Sequence, residues 1–493
     1  MIQWGVSAMS HDAALAVVQD AKLVYASHSE RYSRIKNDKN LHTDQIKEAL
    51  AYGEPDEVLF YENTTLKKLR QLTAQQFKLL LKQGPRSYMR GLGICAPVRL
   101  TGHHESHAAY GAHTSGLDEA DVIVIDSIGE FETLTIWAYR SDYGLTKIAR
   151  QTYPHSVGLW YSAMTQRLGL KPQEHEYILM GMAALGDPNR FYNEIKQDFF
   201  TAFPGINSPV VTFKENLHRG CLWWRPDIVS INDYVDVAAA VQRIYEEILV
   251  GVLRWASHRS YSNNVVLVGG CALNCVANTL AYRYYRRVWV PPNPGDAGSS
   301  VGAVLAHHPR HVDLDHAYLG TDISGDYPVD DIIADLKATG VSAVVAGRAE
   351  FGPRALGHRS ILADPRLPDI KDRVNAIKHR EEFRPFAPMI LAEHATNYFD
   401  VPNVTWNAPF MQFAIPCKEP ATYPGIVHVD GTSRVQTVTH GGPRRLLERW
   451  YAETGCPMLL NTSLNVKGEP LVNTRSDAER WSVIHNLPVR MPK

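Results

Sequence analysis

The string His103-His104-Glu105-Ser106-His107, followed by Val122-Ile123-Val124-Ile125-Asp126, constrains this chain more than any other stretch. On a helix His103 and His107 stand four residues apart on one face, so both rings can reach one cation. The run before Asp126 is apolar and β-branched, as in a buried parallel strand, and it ends in an acid where such sheets place their ligands. Two imidazoles and a carboxylate suit Fe(II), Mn(II) or Zn(II). The same spacing also arises when one ring is buried in a core and the other lies on the surface, so a second acid is needed to decide. Asp296 is the candidate: it follows a strand over Arg287 to Val290 and the turn Pro291-Pro292-Asn293-Pro294-Gly295, and it starts a small-residue helix through Ser299, Ser300 and Ala303. The alternative is an N-cap aspartate, with both roles compatible only if its oxygens are shared.

A chain of 493 residues is too long for one ordinary core and predicts two or three domains. With Lys+Arg 51 against Asp+Glu 52, the formal charge is -1, so stable nucleic-acid binding and attachment to an acidic membrane are not expected. The N-terminus lacks the basic-then-apolar pattern of a signal peptide, and runs such as Asn264 to Gly270 fall far short of a spanning helix. Six scattered cysteines fit reduced thiols in a cytoplasmic protein. Cys271 and Cys275 have no second pair nearby, so helix packing is expected there and not zinc.

In chain order, Ile2 to Ser7, Leu15 to Val18 and Leu23 to His28 read as a meander turning at Gln19-Asp20-Ala21-Lys22, with His11 and Asp12 in its first connection. Helices are expected over Asp44 to Ala51, Leu66 to Leu81, Leu159 to Leu168 and Val235 to Ala256, and strands over Glu57 to Tyr61 and Thr133 to Tyr139. Ser127-Ile128-Gly129-Glu130 reads as a turn in which Gly129 lets the backbone approach a ligand. Phe191 to Asp233, with its prolines and two tryptophans, reads as an irregular excursion. Asn264 to Val268 leads into Gly269-Gly270-Cys271-Ala272-Leu273-Asn274; paired glycines between strand and helix suit close approach of a nucleotide or phosphate.

Several strings together resemble the O-carbamoyltransferases of the nodulation-factor and antibiotic-tailoring type. They are His11-Asp12-Ala13-Ala14, Glu30-Arg31-Tyr32-Ser33-Arg34, His103 to Ala108, Asp126 to Glu130, Gly269 to Asn274 and Asn293 to Gly298. Toward the C-terminus the resemblance continues through Phe351 to Ser360, Phe383 to Pro388, Asp430 to Gln436 and Asn461 to Asn465. It implies an α/β protein in two parts: an actin-like, duplicated α/β domain over 1–335, and over 336–493 an α/β adenylating domain resembling the threonylcarbamoyl-adenylate synthase fold. The boundary is expected between Leu319 and Ala343, where Gly320 to Asp326 is turn-rich and Val341 to Val345 starts a new strand. By the same resemblance His103, His107, Asp126 and Asp296 hold a metal of the Fe(II) kind, and an octahedral ion with these ligands keeps room for substrate. Glu130, Gly269, Gly270 and Asn274 are expected at a nucleotide.

The resemblance further implies that the second part makes carbamoyl-adenylate from carbamoyl phosphate and ATP with Mg(II), and that the first passes the carbamoyl group to a hydroxyl-bearing acceptor. Arg348, Arg354, Arg359, Lys378, Arg380, Arg384 and Arg434 crowd the later sequence, as two polyanionic substrates require. Arg354, Arg434, Asn461 and Ser463 match the family's substrate contacts, and Lys378 and Arg384 are expected to handle phosphates; Arg348, Arg366 and Arg380 read mainly as surface cations. His11 is a candidate for proton transfer or acceptor positioning, a structural place at a strand end being the alternative. Ser127 and Ile178 stand where relatives commonly carry glycine and lysine. The chain ends soon after Asn461, so no further carboxy-terminal domain is expected. A threonylcarbamoyl transferase acting on tRNA, a metallohydrolase and a non-enzymatic nucleotide sensor remain as rival readings, and a homodimer is compatible with all of them.

Overall fold

Alternating apolar residues form the opening meander: β1 (Ile2–Ser7), β2 (Ala14–Gln19) and β3 (Lys22–His28) pair antiparallel. Asp20 and Ala21 take φ of 46° and 70°, the left-handed pair that a two-residue hairpin turn requires. The computed structural model describes residues 1–73, 76–77, 83–260, 262–381 and 383–493. β4 (Glu57–Phe60) and β5 (Val98–Leu100) run parallel beside β1, giving the order β3-β2-β1-β4-β5. Of the helix expected over Leu66 to Leu81, Thr64–Thr73 is helical and much of the remainder lies outside the described residues.

The second sheet repeats this plan. β6 (Glu119–Gly129), β7 (Glu132–Arg140) and β8 (Gly144–Thr152) form a meander. The Phe191 to Asp233 excursion is more ordered than expected, holding the helix Tyr192–Phe199 and the hairpin of β9 (Phe200–Ala202) and β10 (Thr212–Phe213). β11 (Asn264–Val268) and β12 (Arg287–Trp289) then join β6 in parallel, so the order is β8-β7-β6-β11-β12. Each sheet reads third, second, first, fourth, fifth, with matching directions. One topology therefore occurs twice.

The helices that follow the two sheets exchange places. His103–His113 follows β5, yet it packs on β11, where a Cβ on Gly111 would lie 2.5 Å from Val266. Ser299–His307 follows β12, yet it lies against β1, where a Cβ on Gly5 would lie 1.7 Å from the Ser300 carbonyl oxygen. The helices also meet each other: a Cβ on Gly302 would stand 1.8 Å from the Ser106 carbonyl oxygen, and one on Gly298 would meet Tyr110 at 2.6 Å. These contacts are with backbone and packed rings, which cannot step aside. Gly302→Val is expected to cost about 3 kcal/mol or more, through overpacking. Thermal unfolding of the purified variant checks this.

The structure departs from the sequence expectation at two places. β6 runs on through Gly129, and the turn falls at Glu130, whose φ is 44°, because β7 continues the ladder from Glu132 opposite Gly129. The helix expected to begin at Asp296 begins at Ser299, with Gly298 as its N-cap. The Asp296 carboxylate is thereby released from capping.

The chain divides into two compact units, one of Met1–Ser29 with Asn37–Leu314, the other of Glu30–Lys36 with Asp315–Lys493. The division falls ahead of the expected boundary at 335–336. β13 (Tyr318–Ile323) takes its ladder from the second unit, and the helix Val329–Thr339 covers β14 (Val341–Val345). After these come β15 (Gly347–Glu350), β16 (Arg359–Ala363), β17 (Ala387–Leu391), β18 (Ala414–Pro416), β19 (Thr432–Arg434), β20 (Gln436–Val438), β21 (Met458–Ser463) and β22 (Val489–Arg490). Five of them join β14 in a six-stranded mixed sheet of order β20-β17-β21-β16-β14-β22. Among the described residues no helix is long and apolar enough to cross a membrane.

Candidate functional site

His103 and His107 open the helix His103–His113, Asp126 lies on β6, and Asp296 sits in the turn before Ser299. Their ligand atoms lie within 4.8 Å of one another. His103 Nε2 donates to Asp126 Oδ2 at 2.9 Å and lies 3.4 Å from Asp296 Oδ1. His107 Nε2 is 3.5 Å from Asp296 Oδ1, 3.8 Å from Asp126 Oδ2 and 3.2 Å from His103 Nε2. Three of the four are buried, and Asp296 is half-buried.

Local structure fixes each of them. A Cβ on Gly129 would strike the His103 ring at 2.3 Å, so only glycine lets the ring lie against β6. Glu130 accepts from the backbone N–H of His103 at 3.1 Å and of Asn63 at 2.5 Å, holding the start of the histidine helix with a buried carboxylate. The Gly270 N–H donates to Asp126 Oδ1 at 3.1 Å, which leaves Oδ2 turned to the histidines. Gly269, at φ 87°, gives its N–H to the Pro294 carbonyl, and a Cβ there would meet the Ile125 carbonyl oxygen at 2.3 Å.

Burial opposes charge on His103, but the Asp296 and Asp126 carboxylates overcome it and raise its pKa well above the usual histidine range. Burial and mutual repulsion act against the two acids, and the facing imidazoles nevertheless hold Asp126 down at about 2 and Asp296 well below its ordinary value. Two imidazole nitrogens and two carboxylate oxygens held this close, with both acids ionised, form a donor set that fits a divalent first-row ion. Since an ion must displace the proton on His103, metal binding at neutral pH should release protons and strengthen as pH rises. Titration of the metal-free protein in weakly buffered indicator dye checks this.

The residues expected at a nucleotide in the first unit also make contacts within it. Besides Glu130, Gly269 and Gly270, Asn274 caps the helix Cys275–Asn278 and exchanges side-chain hydrogen bonds with Gln242 at 2.8 and 3.1 Å. The position of Ile178 is buried, which suits an apolar side chain there. His11 lies half-buried between β1 and β2, outside the four-residue cluster. Its neighbour Asp12 faces His28 Nδ1 at 3.3 Å, and His28 Nε2 accepts from Asn293 Nδ2 at 2.9 Å.

In the second unit Lys378 is buried, and its Nζ donates toward the carbonyl and Oγ of Ser463 and the carbonyl and Oδ1 of Asn465. Burial, with Arg380 and Arg384 nearby, lowers its pKa well below the ordinary lysine value. Asn461 donates to the Ala355 carbonyl at 3.1 Å and to Gln436 Oε1 at 2.8 Å, and Gln436 donates to the Leu356 carbonyl at 2.9 Å. Arg354 is half-buried on the loop so held, Arg434 ends β19, and Arg384 lies 3.5 Å from Glu381. Arg348, expected at the surface, is half-buried and donates to the Leu319 and Gly320 carbonyls.

Glu350 and Arg359 escaped sequence reasoning as organisers of this unit. Glu350 is buried and accepts from the N–H groups of Leu356, His358 and Arg359 at 2.7, 2.9 and 3.2 Å. Arg359 is fully buried and donates to carbonyls that include Asn473, Ala346 and Thr321. The signal was present in Glu350-Phe351-Gly352-Pro353-Arg354, an acid separated by one residue from a glycine-proline pair.

Residues 61–305 match the family model described as the carbamoyltransferase N-terminus, and residues 333–489 match the one described as the carbamoyltransferase C-terminus. The chain belongs to the carbamoyltransferase family. This carbamoyltransferase is 32% identical over 578 residues to the uncharacterized protein sll1178 of Synechocystis, covering 97% of this chain and 93% of that one. It is 32% identical over 520 residues to nodulation protein NolNO of Sinorhizobium fredii, covering 95% and 76%. Among solved structures, full-length HypF in its phosphate- and nucleotide-bound form superposes with a TM-score of 0.36 at 12% identity, over 62% of this carbamoyltransferase and 46% of that chain.

Proposed function

We propose that this chain is an ATP-dependent O-carbamoyltransferase that makes carbamoyl-adenylate from carbamoyl phosphate and ATP and transfers the carbamoyl group to a hydroxyl of a sugar, nucleoside or other small-molecule acceptor. The observation that carries the reading is the four-residue donor cluster in the segment matching the family's N-terminal model, alongside an arginine-rich unit matching its C-terminal model. The duplicated sheet of the first unit supports an actin-like assignment.

In the second unit Arg354, Arg384 and Arg434 gather the phosphates while water cleaves carbamoyl phosphate to carbamate and inorganic phosphate, and the carbamate oxygen then attacks the α-phosphorus of ATP as pyrophosphate leaves; Mg(II) accompanies the nucleotide. The contacts of Lys378 give it the task of fixing Ser463 and Asn465 at that site. Asn461 holds the Arg354 loop. In the first unit His103, His107, Asp126 and Asp296 would hold an Fe(II)-like ion, which supplies Lewis-acid polarisation of a carbonyl oxygen. Glu130 keeps the histidine helix in place, Gly270 aims the Asp126 carboxylate, and His11 is assigned the proton released by the acceptor hydroxyl as AMP departs.

Purified protein given carbamoyl phosphate, ATP, Mg(II) and a panel of hydroxylated acceptors should yield an acceptor heavier by one carbamoyl group, together with AMP, by mass spectrometry. A strict requirement for threonine, or ATP consumption without AMP, would overturn the reading.

A further inference from the structure

The string Glu30-Arg31-Tyr32-Ser33-Arg34 has no part in the cluster or in the chemistry above. It nevertheless belongs to the second unit, although the residues on either side of it in sequence belong to the first. Arg31 is buried, and its Nη2 donates to the Gly352 carbonyl at 2.7 Å, two residues before Arg354. Arg34 spreads its guanidinium over two successive carbonyls, Leu471 at 2.5 Å and Pro470 at 2.8 Å. The chain segment those carbonyls close runs back to Ser463 and Asn465, the residues that Lys378 grips from the other end. Tyr32 meets Thr321 Oγ1 at 3.0 Å, which also accepts from Asn473 Nδ2 at 3.0 Å. Arg34 itself has φ of 60°, a backbone state that persists only where surrounding contacts enforce it.

A flexible surface tether would need none of this. Arg31, with the Glu30 carboxylate 3.8 Å away, and Arg34 reach carbonyls on the two loops that carry Arg354 and Ser463, and together form a brace across both.

We propose that Glu30–Lys36 is a working part of the second unit's ATP site, with Arg31 and Arg34 as positioning residues for Arg354 and for the Ser463 loop. The inference rests on the proposed adenylating role of that unit. A guanidinium fork can satisfy two adjacent carbonyls at once, whereas an ammonium presents a single point charge, so lysine substitutes only in part.

The test uses the full chain and carbamoyl-phosphate-dependent exchange of labelled pyrophosphate into ATP. Arg34→Ala is expected to raise the KM for ATP about tenfold, as loss of a charge-assisted hydrogen-bond pair implies, with a smaller change in kcat. Arg34→Lys should fall between that variant and the parent, and added methylguanidinium should restore the alanine variant in part. Arg31→Lys, which keeps charge and stem, should raise the same KM with unchanged thermal unfolding and metal content. A parental KM for ATP in both Arg31→Lys and Arg34→Ala overturns the proposal. So does a loss of exchange in Arg34→Ala that merely tracks a lowered folded fraction, leaves KM unmoved and resists methylguanidinium. Absence of exchange in the unmodified protein would instead remove the adenylating reading itself.

Discussion

Arg384→Ala is expected to lose carbamoyl-adenylate formation by about a hundredfold or more, while regaining acceptor carbamoylation when the adenylate is supplied directly. Arg384 lies among the cations of the second unit, near Arg380 and Lys378, and takes no part in the histidine–aspartate cluster of the first. His103→Ala should behave in the opposite way, consuming ATP and carbamoyl phosphate to make adenylate and transferring none of it. Rapid-quench measurement of adenylate, pyrophosphate and carbamoylated acceptor in each variant separates the steps. An equal loss of adenylate in both variants would defeat the assignment of two separate sites.

His107→Ala should cost at least about a hundredfold in divalent-metal affinity, because even outer-shell partners of ligating histidines are worth ten- to a hundredfold. His107 is fully buried and stands within 3.8 Å of both acids. Its loss leaves Asp126 and Asp296, which repel one another, with His103 as the remaining imidazole of the cluster. Elemental analysis should find the variant depleted of metal, whereas Glu105→Gln, altering an exposed residue of the same helix, should retain the parental content. Stoichiometric metal and full activity in His107→Ala would remove the ligand assignment.

The histidine pair was legible because helical spacing converts directly into geometry. Asp126 was legible because a β-branched run ending in an acid has few other uses. Asp296 was found through the small-residue pattern that follows it, although the helix begins later than that pattern suggests. Glu130, Gly270 and Asn274 also tie the first unit together through His103, Asp126 and Gln242, and pairings between such distant positions cannot be read from a local string. Glu350, through Oε1, and Arg359 are buried charges held by backbone groups, and such pairing leaves no periodic trace. The transfer of Glu30–Lys36 to the second unit is purely non-local. No property of those residues announces partners at Gly352 and Leu471.

The exchanged helices bear on how the chain can mature as it leaves the ribosome. β1 emerges first, but its inner face is closed by Ser299–His307, the Gly5 surface resting on Ser300. That face of the opening sheet therefore waits, uncovered, until nearly the whole first unit has been translated, although Leu41, Ile46 and Met89 of its core arrive early, and domains built from such distant contacts fold slowly and expose apolar surface meanwhile. Arg34 waits longer still, for Pro470 and Leu471. Nascent chains stalled before His307 should thus be protease-sensitive and dependent on chaperones even in β1 to β3, the strands made earliest.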